Sequence, residues 1–161
     1  MTKTLILVRH GKSAWAEADQ DDFDRNLDEK GKQDSLSMSK IFANKNIKPD
    51  KIFSSPANRA ISTAKYFARE LGINENEIQQ EMEIYDSGTN FVRNNLPKLD
   101  DSLNIIMIFG HNPDFTFLNN YYSGVPISNM PTCSVACLEF EIDSWKDVDS
   151  RNAKVIFFER P

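Results

Sequence analysis

Each of the two histidines lies one residue beyond the end of a short apolar segment and has a glycine beside it. His10 comes after Arg9 in LILVRHGKS, and His111 lies in IIMIFGHNPD. A buried strand that only has to turn can do so with Asn-Gly or Asp-Gly, without cationic or titratable groups. A neutral imidazole, by contrast, can attack phosphorus and form a covalent intermediate. The other groups that the fold brings to Arg9 and His10 therefore decide which chemistry is available.

A third segment, KIFSSPANRA, also ends an apolar run in polar residues, and it carries Arg59. Ser55-Pro56 in this segment and Asn112-Pro113 after the second histidine each pair a favourable N-cap residue with proline at the first helical position. Each pair predicts a helix whose free backbone N–H groups and positive dipole end form a site for anions. Arg59 would lie one turn inside its helix, where its guanidinium can bend back toward phosphate oxygens.

Two guanidinium groups and two helix N-termini together suit a dianionic phosphoryl group. Arg9 beside His10 would disfavour the protonated imidazole. Taken singly, each residue has an ordinary structural explanation, such as a histidine that caps a helix or an arginine in a surface ion pair. Their joint position at three strand ends favours one shared site. The residues alone do not choose between His10 and His111 as the nucleophile.

Strand and helix patterns alternate along the chain, which predicts an α/β three-layer sandwich with a mostly parallel sheet flanked by helices. The predicted strands are residues 5–8, DKIFSSP ending at Ser54 or Ser55, 104–109, 135–142 and 155–158. The predicted helices are residues 27–47, ANRAISTAKYFARELG, 90–99 and 113–122, with 81–85 as a short strand or extended loop. The last two strands could add an antiparallel edge. Because the carboxyl ends of parallel strands open into one crevice, both histidines and both arginines should meet there.

Length and charge narrow the classes of function. The 161 residues, 40% hydrophobic and 27% charged, fit one globular domain spanning residues 1–161. A net charge of −5 argues against a nucleic-acid partner, which would need clustered positive charge. The acidic run EADQDDFDRNLDE (17–29) favours a solvated surface, so an anionic ligand would need a local basic pocket.

The cysteines and the hydropathy pattern suggest the compartment. Cys133 and Cys137 would lie about 13 Å apart on one face of a strand, too far for a disulfide, and we expect both to be small core residues. No stretch approaches the roughly 20 apolar residues of a membrane span, so no membrane association is expected. The reducing cytoplasm is the expected location.

Three segments, LVRHGKS, SSPANRAISTA and GHNPDFTFL, resemble in order and spacing the signature segments of the histidine phosphatase superfamily, which has the phosphoglycerate-mutase-like fold. The short chain, NLDEKG and MPTCSVACLEFEIDSW resemble the SixA-type phosphohistidine phosphatase branch, and the resemblance runs nearly end to end. It implies a metal-independent phosphatase, without cofactor, that acts through a covalent phosphohistidine. The implied partner is a protein that carries phosphohistidine.

The resemblance also assigns roles to individual residues. It implies His10 as the nucleophile, with Arg9, Arg59 and His111 completing the catalytic phosphate pocket. Ser13 and Asn112 are expected to add contacts to the substrate.

Two positions depart from the family pattern. Ala16 stands where many relatives have asparagine, and Arg25-Asn26-Leu27-Asp28 stands where they have a segment like RPLT.

The general acid is expected in MEIYDSG, because larger relatives place a carboxylate after the second strand–helix unit. Asp86 is the first candidate and Glu83 the second, with an exposed loop carboxylate of no catalytic role as an equal alternative. A phosphoramidate leaving group is itself basic and tolerates a weak or absent acid.

Two other functions stay open: a phosphatase of a small phosphate ester, and a catalytically idle phosphate-binding signalling module. The complete set His10, Arg9, Arg59 and His111 argues against the idle module. Residues 72–104 are too few for a substantial lid over the substrate, which disfavours a mutase and predicts a shallow, open crevice.

Overall fold

A six-stranded sheet with helices on both faces organises the computed structural model, which describes residues 1–15 and 19–161. The strands are β1 (Lys3–Arg9), β2 (Lys51–Ser54), β3 (Gln79–Gln80), β4 (Ile105–Gly110), β5 (Val135–Phe140) and β6 (Ala153–Glu159). The helices are α1 (Glu29–Ala43), α2 (Asn58–Leu71), α3 (Met82–Asn95) and α4 (Asp114–Ser123). The sheet order is β3-β2-β4-β1-β5-β6. The first four strands are parallel, and β5 and β6 add the antiparallel edge, so the predicted fold class is confirmed.

Strand β4 lies between β1 and β2 and brings their carboxyl ends level with its own. Arg9 pairs with Gly110, and Ser54 pairs with Phe109. The segments that follow all three strands therefore leave the sheet side by side.

Apolar side chains cover the sheet on both faces. One core contains alternate residues of β1 with side chains of α1 and α2, namely Ile6, Val8, Met38, Phe42, Ile61 and Phe67. The other contains the intervening residues of β1 with side chains of α3 and α4, namely Leu5, Leu7, Phe91, Val92, Phe115 and Leu118. Burial on both faces explains why β1 and β4 are continuous apolar runs in the sequence.

The first two helices are shorter than the sequence predicts. Helix α1 begins at Glu29, after Asp28 accepts a hydrogen bond from the Gly31 N–H, and it ends at Ala43 instead of residue 47. Helix α2 begins at Asn58, so the expected cap at Ser55 and Pro56 is wrong. Its C-terminal end matches the prediction, because Gly72 adopts the left-handed conformation that terminates many helices.

The last two helices also differ from their predictions. Helix α4 begins at Asp114 and not at Pro113, which lies at the N-cap and follows a cis peptide bond. The largest difference is α3, where one helix replaces the predicted strand or loop at 81–85 and the helix at 90–99. Ser87 has extended backbone angles (φ −160°, ψ 89°), so α3 is kinked there. The kink interrupts the apolar period, which explains why the sequence predicts two separate elements.

Strand β5 is buried at every position except Glu139, because its alternate side chains lie in the two cores on opposite faces of the sheet. Both cysteines are buried and unpaired, which confirms them as core residues, although Cys133 precedes β5 instead of lying within it. Among the described helices, none is both long enough and apolar enough to cross a membrane.

Gly31 permits the closest approach between α1 and the segment after β1. A Cβ at Gly31 would lie 2.0 Å from the Lys12 carbonyl oxygen. A Cβ at Gly11 would in turn lie 2.9 Å from the Gly31 carbonyl oxygen. Since the atoms in conflict belong to the backbone, neither residue could move aside without moving the segment that carries His10.

We predict that Gly31→Ala lowers the free energy of unfolding by about 2–3 kcal/mol, the upper part of the range for overpacking. Gly88→Ala is the matched control, because Gly88 also lies within a helix. A Cβ at Gly88 would make ordinary contacts at 3.4 Å with side chains of α4. We expect the control to change stability by less than about 1 kcal/mol. Urea unfolding measures both, and equal values for the two variants would contradict the assigned clash.

Candidate active site

His10 and His111 face each other where β1 and β4 end. Their ring centroids are 5.1 Å apart with an interplanar angle of 53°, and only 7% and 8% of their surfaces are exposed. The backbone fixes His10 on both sides. Its N–H donates to the Gly110 carbonyl (3.1 Å), and its carbonyl accepts from the Cys133 N–H (2.9 Å). The predicted meeting of the two histidines is thus present in the structure.

The hydrogen bond of His10 defines the state of its ring. Nδ1 lies 2.7 Å from the Gly11 carbonyl oxygen. A carbonyl oxygen only accepts, so Nδ1 carries the hydrogen, and in the neutral ring Nε2 retains its lone pair. The nitrogen left free is the one that could act as a nucleophile.

Ser55 contacts the His111 ring, an interaction that sequence reasoning missed. Nε2 of His111 lies 2.8 Å from Ser55 Oγ, which also accepts a hydrogen bond from the Ala57 N–H (3.2 Å). When the hydroxyl donates to Nε2, the hydrogen of the neutral ring lies on Nδ1. Nδ1 is buried and has no partner among the described residues, so in this tautomer it is a donor available to a ligand.

Burial lowers the pKa of both imidazoles. It is the largest cause for His10, whose pKa falls to about 3, with further lowering from His111, Arg59 and Arg9. Burial followed by Arg59 lowers the pKa of His111 to about 4. Both rings are therefore neutral at physiological pH, as the adjacent arginines require.

Arg59 is the second residue of α2 and is 7% exposed. A short chain of hydrogen bonds connects its backbone to the loop of the first histidine. Thr63 Oγ1 donates to the Arg59 carbonyl (2.8 Å) and accepts from the Gly11 N–H (3.0 Å). The segment after β1 and the first turn of α2 are thereby held in fixed relation.

Arg9 is positioned by the segment between α4 and β5. Its Nη1 donates to the Met130 carbonyl (2.9 Å), and its backbone N–H donates to the Ser134 carbonyl (3.2 Å). Nε of Arg9 is buried without a partner among the described residues. Both arginines thus lie beside the two imidazoles, and they contribute to lowering the pKa of each ring.

Asp22 is the second residue at the site that sequence reasoning missed. It belongs to the acidic run that the sequence favours as a solvated surface, yet it binds the guanidinium of Arg59. Nη1 donates to the Asp22 carbonyl (2.7 Å), and Nη2 donates to its Oδ2 (3.0 Å). Oδ2 also accepts from the Tyr85 hydroxyl (2.8 Å), and Oδ1 accepts from Arg25 Nη1 (3.0 Å).

The Asp22 carboxylate is therefore fixed and ionised. Partial burial raises the pKa of this carboxyl, but hydrogen bonds from Tyr85, Arg25 and Arg59 outweigh that effect and lower it to about 2. A group with this pKa carries no proton near neutral pH and cannot supply one to a leaving group.

Tyr85, and not Asp86, is the residue that α3 directs toward the histidines. The Tyr85 ring lies edge-on to His111, with centroids 5.6 Å apart. Asp86 and Glu83 are exposed, and neither carboxylate has a hydrogen bond or ion pair among the described residues. A general acid role for Asp86 stays a prediction.

The two further predicted substrate contacts are occupied within the chain. Ser13 Oγ accepts from Arg25 Nη2 (2.7 Å). Asn112 Nδ2 donates to the Asn129 side chain (3.0 Å) and the Met130 carbonyl (2.8 Å). Its Oδ1 accepts from the backbone and hydroxyl of Thr116. Asn112 therefore anchors the segment that holds Arg9. Ala16 lies outside the described residues.

Comparison with known families places this fold and site in a class. Residues 5–87 match the model of the histidine phosphatase superfamily, branch 1. The chain belongs to the histidine phosphatase superfamily.

Individual relatives refine the comparison. An uncharacterised chloroplast protein of Arabidopsis thaliana is 28% identical over 155 residues, which cover 91% of this chain and 71% of that protein. A 2,3-bisphosphoglycerate-dependent phosphoglycerate mutase of Bifidobacterium longum is 39% identical over 66 residues, which cover 40% of this chain and 27% of the mutase.

Solved structures agree over the whole chain. A protein of Agrobacterium tumefaciens assigned as phosphohistidine phosphatase SixA superposes with a TM-score of 0.83 at 26% identity, covering 99% of this chain and 98% of that one. A protein histidine phosphatase SixA bound to tungstate has a TM-score of 0.81 at 18% identity, covering 96% and 95% of the two chains. A mycobacterial glucosyl-3-phosphoglycerate phosphatase has a TM-score of 0.66 at 14% identity, covering 97% and 98%. The resemblance to the SixA-type branch is thus confirmed.

We predict that neither histidine titrates near pH 6.5, the usual value for an exposed imidazole. In the folded protein both rings should stay neutral down to about pH 4, because the pKa of His111 is about 4 and that of His10 is about 3. NMR of the ring protons gives two histidine signals, which His111→Asn assigns. A titration midpoint between pH 6 and 7 for either ring would contradict the buried, uncharged pair.

The lowered pKa values of both histidines also determine how the stability of the fold changes with pH. The unfolded chain takes up protons on its histidines below about pH 6.5, whereas the folded chain does not. This contribution to stability is therefore complete above pH 6.5 and is lost as the pH falls toward the folded pKa values.

Proposed function

We propose that this protein is a phosphatase that acts through a covalent phosphohistidine at His10 and removes phosphate from phosphohistidine in proteins. One observation carries the proposal. Two buried neutral imidazoles face each other at the carboxyl ends of adjacent parallel strands, with two arginines near enough to lower the pKa of both rings. Family membership supports a phosphoryl-transfer reaction, and the SixA-type structural neighbours support the choice of substrate.

In the first step, Nε2 of His10 attacks phosphorus and forms an N–P bond. The bond between phosphorus and the leaving group breaks, and its electron pair goes to the leaving atom. In the second step, water attacks phosphorus, and the N–P bond breaks with its electrons returning to Nε2. The products are inorganic phosphate and free His10. The leaving group departs with a proton that it already carries on nitrogen, or gains one from solvent when it carries none, and the protons of the attacking water end on phosphate or in solvent. The bond from Nδ1 to Gly11 supports this role, because it keeps the lone pair on Nε2.

Arg9, Arg59 and the Nδ1–H of His111 would stabilise the charge that develops on the phosphoryl oxygens. Charge stabilisation by fixed donors in a buried site is commonly the largest single contribution to catalysis. Arg59 uses one hydrogen on Nη1 and one on Nη2 for Asp22, and a guanidinium has five N–H donors in total. Three remain for a phosphoryl group.

The leaving group decides how much an acid matters. An alcohol leaving as its anion needs a proton from a nearby acid, whereas the nitrogen of a phosphoramidate can be protonated beforehand. Asp22 is ionised, and Asp86 is exposed beside Tyr85. This arrangement favours a nitrogen leaving group, with Asp86 as the candidate acid for any oxygen ester.

A phosphatase of a small phosphate ester is the second candidate, favoured by the sequence match to a phosphoglycerate mutase. We expect such a substrate to make few contacts beyond its phosphate, because the chain offers little that could cover the site. Between α2 and β4 the chain forms a two-residue strand, the kinked α3 and short 3-10 turns. A phosphorylated side chain on a partner protein could instead gain binding energy from the surrounding surface.

His10→Ala should reduce turnover by at least about a thousandfold, the scale on which loss of a covalent nucleophile acts. Quenching the wild type with radiolabelled substrate should place acid-labile phosphate on a peptide that contains His10. His111→Ala is the matched control, since it removes the other imidazole and should leave the label on His10. Label on His111 in the wild type would reverse the assignment.

We further expect kcat/KM for a phosphohistidine protein to exceed that for any common sugar phosphate by at least about tenfold. This preference requires only about 1.4 kcal/mol of differential transition-state binding. Both substrates are compared on one enzyme preparation. If a sugar phosphate is preferred by that margin, the second candidate function replaces the first.

A further inference from the structure

Asp22 places a fixed negative charge directly against an arginine that would bind phosphate. Its side chain is 52% exposed, whereas that of Arg59 is 9% exposed, so the carboxylate lies at the mouth of the pocket and the guanidinium lies inside. Three donors hold the two carboxylate oxygens, from Arg59, Tyr85 and Arg25. This arrangement keeps the charge in one position.

The negative charge of Asp22 also acts on His111. Asp22 is one of the groups that raise the pKa of His111, against the lowering by burial and Arg59. The Tyr85 ring lies between the two, since its hydroxyl binds Asp22 and its ring packs edge-on to His111. A ligand at the histidines is therefore subject to the charge of this carboxylate as well as to that of the two guanidinium groups.

Arg59 and Arg25 pair with this carboxylate, yet it still reduces the positive charge that a phosphoryl dianion meets. A positive charge on the substrate close to phosphorus would offset that loss. The group attached to phosphorus can supply one. The imidazole of phosphohistidine retains a second ring nitrogen that can be protonated, which places a positive charge close to phosphorus. The alcohol part of a simple phosphate ester has no such charge.

We propose that Asp22 is a specificity-determining residue, which favours phosphoryl donors with a protonated nitrogen group on phosphorus over neutral oxygen esters. The inference deepens the proposed function and rests on it. Asp22 forms no bond to phosphorus and transfers no proton. It favours the protonated form of the substrate, which leaves as a neutral imidazole when the N–P bond breaks and the electron pair passes to the ring.

The test compares two peptides of one sequence, one with phosphohistidine and one with phosphoserine, on the wild type and on Asp22→Asn. The variant keeps an acceptor oxygen but loses the charge. We expect kcat/KM for the phosphohistidine peptide to fall, mainly through a higher KM, and kcat/KM for the phosphoserine peptide to rise. The ratio of the two should change by at least about tenfold.

Two further variants test whether the effect depends on a negative charge at position 22. Asp24→Asn removes the same charge from an exposed residue of the same 3-10 turn and should leave the ratio unchanged, because Arg59 forms its hydrogen bonds and ion pair with Asp22 instead. Asp22→Glu retains the charge and should retain most of the preference. The wild-type preference should also decline as the pH rises and the phosphohistidine ring loses its proton, whereas the ratio for Asp22→Asn should change much less.

Different failures have different meanings. Equal losses for both peptides in Asp22→Asn would show that Asp22 only positions Arg59, and would overturn the inference while leaving the proposed function intact. An unchanged ratio would overturn it as well. A wild type that hydrolyses neither peptide in a His10-dependent manner would overturn the proposed function itself, and the inference with it.

Discussion

Two imidazole rings with centroids 5.1 Å apart, in a pocket that also holds two guanidinium groups, cannot both accept protons. Burial, mutual repulsion and the arginines all act against the charged form, and the remaining features of the site follow from this constraint. A neutral imidazole has one donor and one acceptor nitrogen, so a neighbouring group has to determine which ring nitrogen carries the hydrogen. The Gly11 carbonyl does this for His10, and the Ser55 hydroxyl is the neighbour of Nε2 in His111.

Positive charge concentrated in this way needs a counterion when no ligand is bound. Asp22 supplies it on the solvent side of Arg59, through both its carboxylate and its backbone carbonyl. The protein as a whole has a net charge of −5, so the basic pocket is a local exception within an acidic molecule. Steering of anions by the overall field would be weak, which leaves recognition to contacts at short range.

The sequence predicts the sheet and the meeting of the histidines because strands buried on both faces are continuous runs of apolar residues in the sequence. It also predicts α2, whose apolar stripe is regular and whose last turn ends at Gly72. It does not predict α3, because the break at Ser87 falls within the helix and hides the period.

The missed site residues have a different cause. Asp22 and Arg59 are 37 positions apart, and nothing local distinguishes Asp22 from the other acidic residues of its run. Ser55 has the residue type of a helix cap, and only the tertiary structure places its hydroxyl against His111. Contacts of this kind depend on where a loop returns to the sheet, which pattern and propensity do not encode.

The sheet order has a consequence for how the chain is made. Strand β1 pairs with β4 and β5, so its partners begin about a hundred residues further along the chain. During synthesis from the amino terminus, LILV has no partner strand until the residues of β4 (Ile105–Gly110) have been produced. The half of the sequence that matches the family model, residues 5–87, contains β1 and β2 but not the β4 that separates them. In that half β1 has neither of its partners, so produced alone it would expose an apolar strand with unpaired backbone groups, the kind of edge through which chains associate.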